Sequence, residues 1–231
     1  MTILSKLFLE PQIGAEEPRV VPINGSSRPK ESPRTASLRS CQIQALVQQL
    51  FFQGKSAPVR HVGFAAIEAS TATEQLCLDV ATSLAEGGRY DIGLIDAYPS
   101  APLLQSGLQI TSPSLTESTS WLIAPRLRIV TRQHWMQKTE GPALTEENLS
   151  RLREITSEFD FSILWCAPVS WLTVSVAQAC DGLALVLTAN KTRRLVAAQI
   201  KEQLKRAQVP LLGTVLADRR FPVPQSLYRS L

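Results

Sequence analysis

The chain has 231 residues, of which 44% are hydrophobic and 19% are charged, and its formal net charge is +4. This composition is ordinary for a globular protein, and the length suits one α/β domain with an irregular extension. No apolar run approaches the roughly 18 residues that a membrane helix needs, and Met1–Leu9 does not read as a secretory signal. The mild basic excess is compatible with an anionic membrane surface or nucleic acid, but solvated surface charge explains it more simply. We therefore expect a cytoplasmic protein, or one bound peripherally at the inner face of the cell membrane.

The N-terminal region is rich in proline, serine and arginine. Its five prolines are Pro11, Pro18, Pro22, Pro29 and Pro33. Such a segment buries too little apolar surface to offset the entropy of ordering it. We predict a disordered or loosely ordered segment over residues 1–37, one domain over 38–220 and a short C-terminal tail over 221–231.

The domain begins with a predicted amphipathic helix at Leu38–Gln53, whose apolar residues recur at helical spacing before Gly54 ends it. Short apolar strands and helices then alternate. The predicted strands are Val59–Ala66, Tyr90–Ile95, Leu127–Thr131, Phe161–Cys166, Leu183–Thr188 and Leu211–Ala217. The predicted helices are Thr71–Glu86, Thr145–Ser157 with Thr145 as its N-cap, Val174–Cys180 and Thr192–Ala207. This alternation predicts an α/β fold, a mostly parallel sheet with helices on both faces. The turn-rich stretch Ser100–Trp121 receives no assignment.

In such a sheet, ligands bind at the carboxyl ends of the strands. Five elements there carry a resemblance: HVGFAAIEASTATEQL from His61, IGLIDAY at Ile92–Tyr98, FDFSILWCAPV at Phe159–Val169, ACDGLALVLTANKT at Ala179–Thr192, and the last strand at Leu211–Ala217. In order and spacing they resemble the tyrosine autokinases of capsule and exopolysaccharide biosynthesis (CpsD/CapB-like), which belong to the MinD/ParA-type P-loop NTPases. The resemblance covers about four-fifths of the chain. It implies the P-loop NTPase-like fold of the deviant Walker group.

The comparison with that family also implies a degenerate phosphate loop. Ala72, Thr73 and Glu74 stand where the family has Gly, Lys and Ser/Thr, and no glycine lies between Phe64 and Glu86. A phosphate loop needs glycine because its backbone N–H groups must approach phosphate oxygens closely.

The acids of the family's site are replaced as well. Asp96 keeps the first acid of an Asp-x-Asp motif, while Tyr98 replaces the second. Trp165 replaces the acid of the third motif, and Ala217 replaces an asparagine associated with the base. Trp165 offers no oxygen ligand for Mg²⁺. We therefore expect no catalytic residue, no bound cofactor and no metal site.

The segment from Thr71 to Glu74 also matches a capping box. In that motif Thr71 accepts a hydrogen bond from the Glu74 backbone N–H, and the Glu74 carboxylate accepts one from the Thr71 N–H. The N–H groups that bind phosphate in a working loop would then be satisfied within the helix itself. This predicts a self-capped, empty site.

Other candidate residues favour structural roles. Asp96 alone is more often a turn or cap residue than a catalytic acid, and His61 and His134 have no evident third metal ligand. Tryptophans could form a stacking surface for nucleic acid or sugar, but we expect Trp165 and Trp171 to fill the core or plug the lost site. The remaining two tryptophans are Trp121 and Trp135.

Three functional hypotheses account for these features. The first is a non-catalytic regulator or scaffold (pseudo-ATPase or pseudokinase) in exopolysaccharide or capsule biosynthesis and export. It would bind a membrane-anchored chain-length or export protein, an active kinase paralogue or further copies of itself. Cys41–Gln53 would form the partner surface, because the family uses this region for subunit contacts; packing on the sheet is the competing interpretation.

The second hypothesis is an active tyrosine kinase or ATPase, using ATP and Mg²⁺ with Asp96, Glu74 and either Lys191 or Arg193. The family's C-terminal tyrosine cluster is reduced here to Tyr228, which weakens the case for autophosphorylation. The third is a ParA-like positioning protein. No recognition helix is apparent, so we expect no nucleic acid partner.

Overall fold

A computed structural model describes residues 19–20, 33–52, 58–68, 71–98, 120–136, 144–166 and 168–218. Eight strands form one sheet: β1 (Arg19–Val20), β2 (His61–Ala66), β3 (Ile92–Ala97), β4 (Ser120–Ala124), β5 (Leu127–Val130), β6 (Phe161–Cys166), β7 (Gly182–Thr188) and β8 (Leu211–Ala217). Their order across the sheet is β1-β4-β5-β3-β6-β2-β7-β8. All neighbouring pairs are parallel except β4 and β5, which are antiparallel.

Helices connect the parallel strands. They are α1 (Pro33–Val47, continued by a π-helical turn at Gln48–Phe52), α2 (Thr71–Glu86), α3 (Arg132–Trp135), α4 (Glu146–Ser157), α5 (Trp171–Val176, followed by a 3-10 turn at Ala177–Ala179) and α6 (Arg194–Arg206). The predicted fold class, a mostly parallel sheet with helices on both faces, is confirmed.

Each face of the sheet has its own hydrophobic core. On one face, α1 and α2 contribute Leu50 and Val80, which pack with Phe64 of β2. On the other face, α4 and α6 contribute Leu152 and Leu204, which pack with the neighbouring strands. The central strands are buried on both faces, which explains why they are continuous apolar runs in the sequence.

Most predicted elements agree closely with the structure. The bounds of α2, β6 and β8 are those predicted, and Thr145 caps α4 as predicted, its Oγ1 accepting a hydrogen bond from the Asn148 N–H at 3.3 Å. The helix predicted at Val174–Cys180 begins earlier, at Trp171. The antiparallel strand β4 has no counterpart in the sequence prediction.

At the N-terminus, α1 begins at Pro33 rather than at the predicted Leu38, and Arg19–Val20 pairs with β4. The other residues of the segment predicted to be loosely ordered, and the predicted tail 221–231 with Tyr228, lie outside the described residues. The proposed domain limits therefore stay a prediction.

The apolar side of α1 packs on the domain. Val47, Leu50 and Phe51 are buried, and the Phe51 ring contacts the Phe161 ring edge-to-face with centroids 5.4 Å apart. Arg39 forms a salt bridge to Asp79 of α2, its Nη2 lying 2.6 Å from Oδ2. The apolar stripe of this segment therefore belongs to the core, as the competing interpretation of Cys41–Gln53 holds.

Gly93 of β3 provides a test of this packing. A Cβ built on Gly93 would lie 2.5 Å from Cδ2 and 2.7 Å from Cε2 of Phe159, whose ring also contacts the Arg128 guanidinium at 5.1 Å. We expect Gly93→Ala to lower the free energy of unfolding by about 1–3 kcal/mol through overpacking. Gly213→Ala is the control, because an added Cβ meets nothing within 4 Å there. Urea denaturation measures both, and equal losses would contradict the packing described.

Candidate functional site

The candidate site lies at the carboxyl ends of β2, β3 and β6, beside the amino end of α2. In the strand register, Asp96 of β3 is paired with Trp165 of β6, and Trp165 is paired with Phe64 of β2. Paired residues of neighbouring strands point to the same face of a sheet. The side chains of Asp96 and Trp165 therefore point together to the face that α2 covers.

The two aromatic residues that stand where the resemblance implies acids contact each other. The rings of Tyr98 and Trp165 meet edge-to-face, with centroids 5.2 Å apart and an interplanar angle of 80°. Trp165 is 5% exposed, so the prediction that it packs in the core is confirmed. An edge-to-face aromatic pair contributes about 0.5–1.5 kcal/mol beyond the apolar area it buries. The sequence did not predict this contact between the two rings.

Asp96 has the environment of a turn residue. Its Oδ1 accepts a hydrogen bond from the Tyr98 backbone N–H at 3.0 Å, and its side chain is buried. The Trp135 Nε1–H donates to the Asp96 backbone carbonyl at 2.9 Å, and Trp135 is fully buried. Trp135 is thus a neighbour of the site that sequence reasoning missed, because it lies on a separate four-residue helix.

The first turn of α2 places Thr73 and Glu74 inside the domain. Thr73, which the resemblance places at the family's lysine position, is 1% exposed, and Glu74 is 6% exposed. Burial, followed by the proximity of Cys166 and Glu74, raises the pKa of the Cys77 thiol well above its usual value. The first turn of α2 therefore holds a buried hydroxyl group and a buried carboxyl group.

The predicted capping box remains a prediction. α2 begins at Thr71 itself, but the side chain of Thr71 lies outside the described residues. Ala72 is half-buried in the same turn. The structure therefore shows where Glu74 lies without testing the reciprocal hydrogen bonds.

The remaining candidates are spread over the molecule. Trp171 is 56% exposed at the start of α5, so the prediction that it plugs the site or the core is wrong. The side chain of Trp121 lies outside the described residues. His134 is exposed, and His61 lies at the amino end of β2, where burial lowers its pKa and its Nδ1 lies 2.9 Å from the Ser162 Oγ.

Metal ligation and membrane insertion find no support in the described part of the chain. There, no group of three or more His, Cys, Asp or Glu side chains could hold a metal ion. No helix in the same ranges has the length and hydropathy needed to cross a membrane.

The sheet order and the placement of the site define the class of fold: a P-loop NTPase-like α/β domain. No protein-family model matches the sequence, and no curated protein matches it. Among solved structures, the fold is shared with bacterial tyrosine kinase domains. The kinase domain of the Escherichia coli tyrosine kinase ETK aligns with a TM-score of 0.64 at 14% identity, over 88% of this chain and 92% of that one.

Two further structures share the fold. The BceF tyrosine kinase domain aligns with a TM-score of 0.61 at 18% identity, covering 84% of this chain and 81% of its own. A ParA family ATPase from Chlorobium tepidum aligns with a TM-score of 0.53 at 15% identity, covering 74% and 78%. The fold implied by the resemblance to MinD/ParA-type tyrosine autokinases is therefore confirmed.

Trp165 and Trp171 form a matched pair for testing the aromatic contact. We expect Trp165→Ala to lower the free energy of unfolding by about 3–5 kcal/mol, because it empties a buried site beside Tyr98. Trp171→Ala should change it by less than about 0.5 kcal/mol, because Trp171 is largely exposed. Denaturant unfolding followed by circular dichroism measures both. Similar losses for the two variants would contradict the buried position of Trp165.

The buried hydroxyl group of Thr73 can be tested separately. The Thr73 Oγ1 is buried and has no hydrogen-bond partner among the described residues, whereas the buried Thr156 Oγ1 donates to the Arg153 carbonyl at 2.8 Å. We expect Thr73→Val to leave stability unchanged or to raise it by about 1 kcal/mol, since it removes an unpaired buried hydroxyl. Thr156→Val should lower stability by about 1 kcal/mol. A loss at Thr73 as large as at Thr156 would show that its hydroxyl is paired.

Proposed function

We propose that this protein is a non-catalytic regulator or scaffold, a pseudo-ATPase or pseudokinase of capsule or exopolysaccharide biosynthesis and export. The observation that carries the proposal is the contact between Tyr98 and Trp165, which puts two aromatic rings where the family has acids. The kinase-like fold supports the family assignment, and the composition of the site supports the absence of catalysis.

On the phosphate side, the first turn of α2 opposes anion binding. Glu74 places a carboxyl group in the turn whose N–H groups would otherwise attract phosphate. A carboxylate about 4 Å from one phosphate charge costs about 4 kcal/mol at an effective dielectric constant of about 20. Thr73 supplies no compensating cation, because it replaces the lysine.

On the metal side, the site retains one acid. Mg²⁺ requires oxygen ligands in a near-octahedral arrangement. Asp96 already uses Oδ1 to accept the Tyr98 amide, and its register partner Trp165 carries an indole. Of the acids that the resemblance implies, the site keeps Asp96 alone, and Glu74 of α2 supplies the other carboxyl group.

The partner in this proposal is a membrane-anchored chain-length or export protein, or an active kinase paralogue. The family resemblance supports this choice. So does a domain that keeps the α/β fold but, in this proposal, lacks a working nucleotide site. Because the apolar stripe of α1 is buried, a partner binding at Cys41–Gln53 would contact the outer, glutamine-rich side of that segment, where Gln44, Gln48 and Gln49 are exposed. Assembly with further copies of the chain at the inner face of the membrane is compatible with the same surface.

One observation favours the second hypothesis, an active ATPase or tyrosine kinase. Asp96 is an acid at the carboxyl end of β3, where the family has one. An active site built on it would also need Glu74 and Lys191 or Arg193, of which the last two are exposed. Nucleotide titration separates the two functions.

Calorimetric titration with ATP and Mg²⁺ tests the proposal. We expect no binding heat from the native chain up to about 1 mM nucleotide, which corresponds to an affinity weaker than about 4 kcal/mol. The combined variant Ala72→Gly, Thr73→Lys, Glu74→Ser restores the family's loop and should bind ATP more tightly. Its thermal unfolding midpoint controls for folding.

One result would overturn the proposed function. If the native chain binds ATP with a micromolar dissociation constant and Asp96→Ala abolishes that binding, the site is occupied in solution and the second hypothesis holds.

A further inference from the structure

In the described part of the chain, the strand β8 forms one edge of the sheet. It is last in the strand order, and among the described residues it pairs with β7 alone. It spans Leu211–Ala217 without a charged residue or a proline, and Leu216 is 53% exposed. Edge strands usually carry charges, prolines or bulges that prevent pairing with another chain. β8 has its irregularity only at its beginning, opposite Leu183 and Ala184.

The backbone register identifies which groups of β8 point outward. The Ala189 N–H donates to the Ala217 carbonyl at 2.9 Å, so Ala217 directs its backbone groups toward β7. In a parallel ladder, alternate residues direct their N–H and C=O groups to the same neighbour. Val215 therefore also faces β7, whereas Thr214 and Leu216 direct theirs to the open side.

The helix α6 carries a basic stripe. Its inner side holds Leu204, which is buried, and Ile200, which packs against the same core. Successive residues of a helix are rotated by about 100° around its axis. On α6, three exposed cationic side chains therefore fall within an arc of about 40°, which lies roughly a quarter turn past the inner side. They are Arg194, Lys201 and Lys205.

The connection between β7 and β8 determines which way this stripe faces. Crossovers between parallel strands are right-handed, and α6 runs antiparallel to both strands on the face that Leu204 buries. In this geometry, the side of α6 that lies a quarter turn past its buried side, in the direction in which the helix winds, is above the outer edge of β8. The basic stripe therefore overhangs the open side of β8, while Gln199 and Gln203 face the neighbouring helices and Glu202 faces solvent.

We propose that β8 binds an extended acidic segment of a partner protein, which adds a strand to the sheet beneath the basic stripe of α6. Backbone hydrogen bonds to Thr214 and Leu216 would supply the pairing, as in other sheet-edge recognition. Acidic side chains on one side of the added strand would meet Arg194, Lys201 and Lys205. A second copy of this chain is a poorer occupant, because a two-fold axis would bring its basic stripe against the same stripe here.

The inference does not depend on the proposed loss of nucleotide binding, since peptide titration tests one and ATP calorimetry the other. The probe is a capped, dye-labelled peptide as long as β8 in which Val and Glu alternate. By fluorescence anisotropy, the full chain should bind it at least about tenfold more tightly than the matching Val–Lys peptide, a difference of about 1.4 kcal/mol. The preference should shrink as salt rises.

Two variants and a matched control locate the site. Thr214→Pro removes an outward N–H without removing a bond to β7, and it should abolish binding. Lys201→Gln with Lys205→Gln should weaken binding of the acidic peptide by at least about tenfold while leaving β8 intact. Arg151→Gln with Arg153→Gln removes as many charges from α4 and should have no effect. Equal binding of the acidic and basic peptides, or normal binding by the Lys201/Lys205 variant, overturns the proposal.

Hydrogen exchange gives an independent readout. In the unliganded protein, the amides of Thr214 and Leu216 should exchange fast while that of Val215 is protected. Adding the acidic peptide should slow the first two and leave Val215 unchanged. Slow exchange at Thr214 and Leu216 before peptide is added would show that another part of the chain already covers the edge, and the proposal would fail.

Discussion

The register of β3 against β6 fixes the character of the candidate site, because it places Asp96 directly beside Trp165. Two neighbouring carboxylates would repel each other and would need a cation between them. Here a single acid stands beside an indole, and its Oδ1 accepts the Tyr98 amide. That hydrogen bond reduces the cost of burying a carboxyl group. The ring of Tyr98 in turn lies against the ring of Trp165. The site is thereby packed and hydrogen-bonded by its own residues.

The apolar core and the first turn of α2 use different residues. The inner side of α2 packs through Cys77, Val80 and Leu84, which lie beyond the turn that would hold phosphate. The same separation operates along the sheet, where Phe64 and Val62 are buried within β2 itself, ahead of the loop. Changes at Ala72, Thr73 and Glu74 therefore need not disturb the sheet. A shared fold therefore leaves activity to be argued from the site.

The sequence predicted the elements that carry a clear local pattern. It did not predict features that depend on contacts with residues distant in the chain. Thr145 and the apolar run of β6 carry local signals, and both were predicted correctly. β4 is a five-residue strand with an irregular register against β5, so no period marks it. α1 starts at Pro33 because proline is tolerated in a first helical turn. The contact between Tyr98 and Trp165 depends on strand pairing, and the exposure of Trp171 depends on how α5 sits on the sheet. The local spacing of residues predicts neither of these two features.

The candidate site and the edge strand β8 lie apart on the sheet. Three strand spacings, roughly 14 Å, lie between β6 and β8. An added strand at β8 would therefore need neither an ordered phosphate loop nor a bound nucleotide. The outward amides of Thr214 and Leu216 are held by the pairing of β8 with β7, and the basic stripe is held by the packing of Leu204. The interactions that build this edge are thus those that build the core, and they do not involve the residues of the candidate site.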